Sequence, residues 1–215
     1  MWMLLQLADS AFPTGGFAHS AGLEAASQAG EIDSVDGVRR FAREAVWQAG
    51  WGALPLVRGA FAGPDALPRL DARADAFLAN HVANRASRTQ GRAFLQTAAR
   101  VFPERTAQVQ ARAAGLKLHF APTWGAVVSA LGVPLADAQR LLLWSTARNV
   151  LSAAVRLGLV GTHEAQALLA GLGPLLDEVH AACGELEVDA LAQPAPLLDL
   201  IQGTHDRLYS RLFQS

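Results

Sequence analysis

Apolar residues in this chain recur three and four positions apart, and prolines stand where those runs begin or break. Nowhere does the period-two alternation of a half-buried strand persist, so helices are the regular element the pattern supports. Proline suits the first turn of a helix, where the N–H it lacks would be unpaired anyway, and it breaks a helix elsewhere. Pro68, Pro122, Pro134, Pro174 and Pro196 therefore mark helix starts, and Pro103 marks a stop. The expected fold is all-α, a single-domain helical bundle of about eight to ten helices spanning residues 1–215.

The spacing places a long amphipathic helix after a cap at Asp33 or Ser34, with Val35, Val38, Phe41, Ala42, Ala45, Val46 and Ala49 on one face. A second segment carries Trp51, Leu54, Val57 and Phe61 and stops at Gly63-Pro64. After Pro68, helical spacing runs through Leu70, Ala74, Phe77, Leu78 and Val82, and Phe94, Leu95, Ala98, Val101 and Phe102 carry it up to Pro103. Val127, Val128 and Leu131 follow Pro122, and the long segment 135–157 leaves so little polar circumference that it is expected at the centre of the bundle. Thr162 caps a short helix, Pro174 opens another through Cys183, and residues 184–195 read as an acidic loop. A last helix from Pro196 would carry Leu197, Leu198, Ile201, Leu208, Leu212 and Phe213 on its apolar side, weakened by about 1 kcal/mol at Gly203.

Hydrophobic residues make up 51% of the chain and charged ones 17%, an apolar balance that calls for a partner over part of the surface. No run of eighteen apolar residues lacks a charge or a breaker, so no membrane span is indicated. The start, Met1-Trp2-Met3-Leu4, lacks the basic flank of a signal peptide, and a single cysteine, Cys183, fits a reducing cytoplasm as a buried thiol. A net charge of -1 gives no electrostatic case for nucleic acid. Charge is nevertheless uneven: residues 69–112 hold eight arginines against three acids, and residues 170–215 hold seven acids against two arginines. Such asymmetry suits docking between proteins as well as a solvated face.

Chemistry concentrates near the start. In residues 4–24 an apolar turn breaks at Phe12-Pro13-Thr14-Gly15-Gly16, and Ser20 reads as the cap of a new helix. Asp9, Ser10 and His19 invite a triad, yet nothing in the sequence orders them as orienter, nucleophile and base, and Asp and Ser are ordinary turn formers. There is no phosphate-binding loop motif, and the lone lysine, Lys117, follows no glycine-rich turn. His19, His81, His119, His163, His180 and His205 never fall at the spacing of a helical metal pair, so a metal site would need distant histidines brought together. Arg85, Arg88 and Arg92 line one helical face without interleaved aromatics.

Three stretches carry a resemblance. Asp9, Ser10, Phe12, Pro13, Gly15, His19, Ser20, Gly22, Leu23 and Glu24 at the opening, Ala154-Val155-Arg156-Leu157-Gly158, and the ending Arg211-Leu212-Phe213-Gln214-Ser215 together resemble the UreF family of urease accessory proteins. The resemblance implies an all-helical protein without catalysis or cofactor, which dimerises, binds UreD (also called UreH) and with it recruits the GTPase UreG to deliver nickel to apo-urease. It implies partner binding by Asp9, Ser10, Phe12, Pro13, Gly15, Phe17, His19, Ser20, Glu24, Arg211, Leu212 and Phe213, with Arg211 toward UreG and the surrounding tail toward UreD. Phe17 stands where some members have tyrosine, so only ring packing carries over. Near Ser87 and Gly91 a further family motif is recognisable, with Asn84 where an arginine is expected. The alternative is a nickel carrier that binds the metal through dispersed histidines or Cys183, and a third reading is a helical enzyme using residues 9–19.

A homodimer is expected, from the apolar excess and the family habit of pairing. Residues 211–215 are expected to be mobile until a partner covers Leu212 and Phe213, since a terminal helix leaves carbonyls unpaired and exposed ends fray.

Overall fold

The computed structural model describes residues 1–215 and contains eleven α-helices, four short 3-10 turns and no strand. In order these are α1 (Trp2–Ala8), α2 (Leu23–Gln28), α3 (Val35–Phe61), α4 (Leu67–Phe77), α5 (His81–Val101), α6 (Pro103–Ala113), α7 (Phe120–Ala130), α8 (Leu135–Arg156), α9 (Thr162–Gly171), α10 (Gly173–Cys183) and α11 (Pro196–Gly203). The all-α expectation holds, with one helix more than the upper count.

The cap at Ser34 forms: its Oγ accepts from Gly37 N at 3.2 Å. Beyond it the two expected segments are one helix of 27 residues with Pro55 inside. Proline at 55 removes a bond to the Trp51 carbonyl, and Ala192 N, from the loop between α10 and α11, fills that acceptor at 3.4 Å. Gly50 lets α10 approach so closely that a Cβ would overlap Val179, so packing holds the helix together where the sequence suggested a break.

At the centre lies α7 rather than α8. Every residue from Pro122 to Val128 is buried, and α3, α4, α5, α6 and α8 surround them. A Cβ on Gly125 would meet the carbonyl oxygen of Val57, so α3 and α7 touch through their backbones. On α8 one face is buried through Leu142, Leu143, Ala147, Val150 and Leu151, while Leu141, Trp144 and Ser145 stay partly exposed. The aromatic ring of Phe94 stacks near those of Trp124 (5.0 Å between centroids), Phe120 (5.9 Å) and Phe12 (6.1 Å), which brings the opening stretch into the core.

Other boundaries move for local reasons. The run from Pro68 to Val82 divides, because α4 ends at Phe77 and Asn80 caps α5 by accepting from Val82 N at 3.0 Å. Pro103 ends α5 and also starts α6, whose buried face is only Thr106, Val109 and Ala113. The C-terminal helix stops at Gly203, so Leu208, Leu212 and Phe213 lie beyond it. No helix is long and apolar enough to cross a membrane.

A candidate docking site where the two ends of the chain meet

After α1 the chain turns sharply. Asp9 Oδ1 accepts from Ala11 N at 2.9 Å, and Gly15 takes a positive φ of 74°, a conformation that costs glycine little. Arg148 donates to the Ala8 carbonyl at 2.5 Å and Thr97 donates to the Pro13 carbonyl at 3.0 Å, so α8 and α5 hold the loop from two sides. Gly22, at φ 94°, lies against Gln202 of α11, where a Cβ would come within 2.9 Å of the Gln202 Cβ.

Ser20 is not the cap of the next helix, which begins at Leu23 after Gly22. Its hydroxyl still meets Glu24 N at 3.4 Å, but its N–H and Oγ donate to the backbone oxygen of Ser215 at 2.6 and 3.1 Å. Gln214 N donates to the Ala18 carbonyl at 2.9 Å, and His19 Nδ1 lies 2.5 Å from Ser215 Oγ. Glu24, only 2% exposed, accepts from Leu212 N at 2.6 Å, Phe213 N at 3.1 Å and His205 Nε2 at 3.1 Å. A buried carboxylate without partners would be costly, and here two amides and an imidazole supply them.

The tail is therefore tied down, against the expectation that it is mobile. Phe213 and Ser215 are buried, and their backbone groups find partners in residues 18–24. Arg211 and Leu212 remain exposed, as do Asp9, Ser10, Pro13 and Phe17; Gly15 is half-buried, and Phe12, His19, Ser20, Glu24 and Phe213 are interior.

Arg156 joins all three motif stretches. Its guanidinium lies 4.1 Å from the centre of the Phe17 ring and 4.2 Å from that of Phe213, and it donates to the Phe17 carbonyl at 2.6 Å. Cations over aromatic faces are attracted by the ring quadrupole, so the end of α8 clamps loop to tail.

Electrostatics at the junction are largely settled inside the chain. Asp206 receives Arg85 at 2.7 and 3.0 Å, with His81 at 3.2 Å and Arg211 at 3.5 Å, and the Arg85 bonds hold its carboxyl down at about 2. The basic stretch on α5 and the acidic C-terminal stretch thus meet each other. Burial, with help from the charges of Arg85 and His205, lowers His19 to about 4, leaving its ring neutral near pH 7.

The motif around Ser87 and Gly91 has a packing role. Ser87 Oγ accepts from Phe120 N at 3.1 Å and lies 3.2 Å from His119 Nδ1, fixing the entry to α7. Gly91 passes so near the loop that any Cβ would overlap the Leu118 carbonyl oxygen. Asn84 donates to the Asp75 side chain and the Leu78 carbonyl and so closes the end of α4. Asp71, accepting from Lys117 N at 2.8 Å and His119 N at 2.7 Å, belongs to the same clamp, and sequence spacing gave no sign of it.

Asp9, Ser10 and His19 are not joined by hydrogen bonds, since Asp9 serves Ala11 and His19 serves Ser215. No three His, Cys, Asp or Glu side chains gather closely enough to hold a metal ion.

Residues 32–173 match the family model of UreF. Similarity extends further, to urease accessory protein F of Arabidopsis thaliana at 38% identity, covering 100% of this chain and 92% of that protein. The rice protein of the same name (Oryza sativa subsp. indica) is 36% identical over 99% of this chain and 84% of its own length. The chain belongs to the UreF family. Urease accessory protein UreF of Cereibacter sphaeroides strain ATCC 17029 is likewise 36% identical, over 99% of this chain and 97% of its own. Membership carries a role in urease maturation. The opening loop and tail lie outside the matched model, but within the span shared with these urease accessory proteins.

Proposed function

We propose that the protein is an adaptor of urease maturation, with no reaction of its own, that uses the loop–tail junction to bind UreD (UreH) and thereby recruit UreG for nickel insertion into apo-urease. The observation that carries this reading is convergence: residues 9–24, 154–158 and 211–215 are far apart in sequence and meet around Arg156. Phe17, 66% exposed, and Leu212, 53% exposed, form the apolar part of the face, with Arg211 beside them. Burying such side chains yields roughly 1.5 to 3 kcal/mol each if cover is complete. Asp9, Ser10 and Pro13 belong to the contact edge. Gly15, Phe12, His19, Ser20, Glu24 and Phe213 act by shaping it, from beneath or within the loop.

Exposed Trp2, Leu5, Leu197 and Leu200 add apolar surface that supports a homodimer. The protein works in this account in the cytoplasm, where urease is assembled. Co-purification with UreD and UreG tests it. Wild type should carry both, while Phe17→Glu combined with Leu212→Asp should lose them with an unchanged melting temperature. Retention of both partners by that double variant would overturn the assignment of the junction.

A further inference from the structure

Beside the junction a groove of about 600 Å3 runs between the opening loop, the C-terminal half of α8 and the start of α9. Its floor is apolar, with Phe12, Leu151, Val155 and Leu169, and Arg148 and Arg156 stand in its wall. No aspartate or glutamate lines it. Neither arginine is in an ion pair, although seven pairs between Arg or Lys and a carboxylate form elsewhere in the chain. Asp9 acts on Arg148 only from beyond pairing distance, and burial of Arg148 disfavours its charge.

Both guanidiniums are held in place. Arg148 lies 4.9 Å from the centre of the Trp144 ring, spends one nitrogen on the Ala8 carbonyl and another on Asn149 Oδ1 at 3.3 Å. Arg156 is fixed between two rings and one carbonyl. A guanidinium has five N–H donors, so each retains donors for a further acceptor. Because the wall is ordered before binding, these two arginines incur little further ordering cost when an occupant docks.

We propose that this groove receives an acidic segment of a partner protein, its carboxylates paired by Arg148 and Arg156 and its apolar side chains seated on Leu151, Val155 and Leu169. Charge complementarity decides the occupant: two half-buried cations in a lining without a carboxylate favour carboxylates, while an apolar floor and only two cations are a poor footprint for nucleic acid. The proposal rests on the adaptor reading and adds the chemistry that the partner must present.

Thr162 and Gln166 line the groove from α9, are exposed, and lie one turn apart. Acids are well tolerated at the N-terminus of a helix, so Thr162→Glu with Gln166→Glu should fold normally. Two probes are used, a labelled alternating Glu-Leu hexapeptide with its Gln-Leu counterpart, and purified UreD with UreG. Wild type should bind the Glu-Leu peptide about tenfold more tightly than the Gln-Leu peptide, and raising the salt should erase the preference. The double Glu variant should lose that preference and weaken partner capture about tenfold, whereas Gln166→Lys should strengthen both. Equal binding of the two peptides by wild type, or partner capture indifferent to the Glu pair, overturns the proposal. A Glu pair that changes only self-association in sedimentation also overturns it, because the groove would then belong to a second copy. Wild type that prefers the acidic peptide yet captures neither UreD nor UreG would sink the adaptor reading while leaving the acidic groove standing.

Discussion

Phe94 and Glu24 are both sealed from solvent, yet they hold the molecule by different means. Around Phe94, four aromatic rings and the backbones of α3 and α7 meet without a charge among the rings, and the stabilisation is burial and shape. Around Glu24, a carboxylate, two tail amides, two histidines and a serine backbone oxygen close the ends of the chain onto each other. Apolar packing is indifferent to pH and is shared by many helices; a polar junction depends on each partner being present. The core therefore sets the fold, and the junction sets a surface that can open without dissolving the fold.

Four changes separate core from junction. Phe94→Ala should cost about 4 kcal/mol globally, read as an earlier urea midpoint, because the whole aromatic cluster loses its centre. Glu24→Ala should cost about 3 kcal/mol, but locally, since it strands the Leu212 and Phe213 amides and His205. Partner capture should fall with it while the urea midpoint moves less than for Phe94→Ala.

Acidification comes next in size. His19 has a folded value of about 4 against an ordinary 6.5, so the unfolded chain binds the proton first and stability falls as pH drops from 6.5 to 4. That contribution is full above 6.5, and its loss should be about 3 kcal/mol at most. Buried His119 and half-buried His180, lowered in the same direction, add to the fall, and His19→Gln should remove only the share of His19. Asp206, held at about 2, keeps its contribution above its ordinary 3.8 and gives it up only in more acidic solution. Arg156→Ala should be smallest, about 1 kcal/mol, through the loss of contacts to the exposed Phe17 ring and the buried Phe213 ring. Faster exchange of tail amides in that variant, with the core unmoved, would place Arg156 in the junction.

Most of the fold was legible where local chemistry decides it. Ser34, Pro134, Pro174 and Pro196 stand where helices begin, and α8 runs almost as its spacing indicates. The sequence misled where distant groups act: Ala192 rescues the carbonyl that Pro55 frees, and α10 packs on Gly50, so two expected segments are one helix. Short α6 was invisible because three buried residues make too faint a stripe. In the site, motif matching found the residues but not their attachments. Glu24 binds amides 188 and 189 positions away, a relation no spacing can express, and that bond turns an expected mobile tail into an ordered one.

Native-state hydrogen exchange of wild type and Glu24→Gln tests the division between core and junction most directly. In wild type the amides of Ser20, Leu212, Phe213 and Gln214 should be protected together, each having an acceptor in the fold. Glu24→Gln should speed these amides by about a hundredfold and leave those of Val127 and Val128 in α7 unchanged. Tail amides that exchange freely in wild type, or α7 amides that accelerate by the same factor as the tail, would contradict the account.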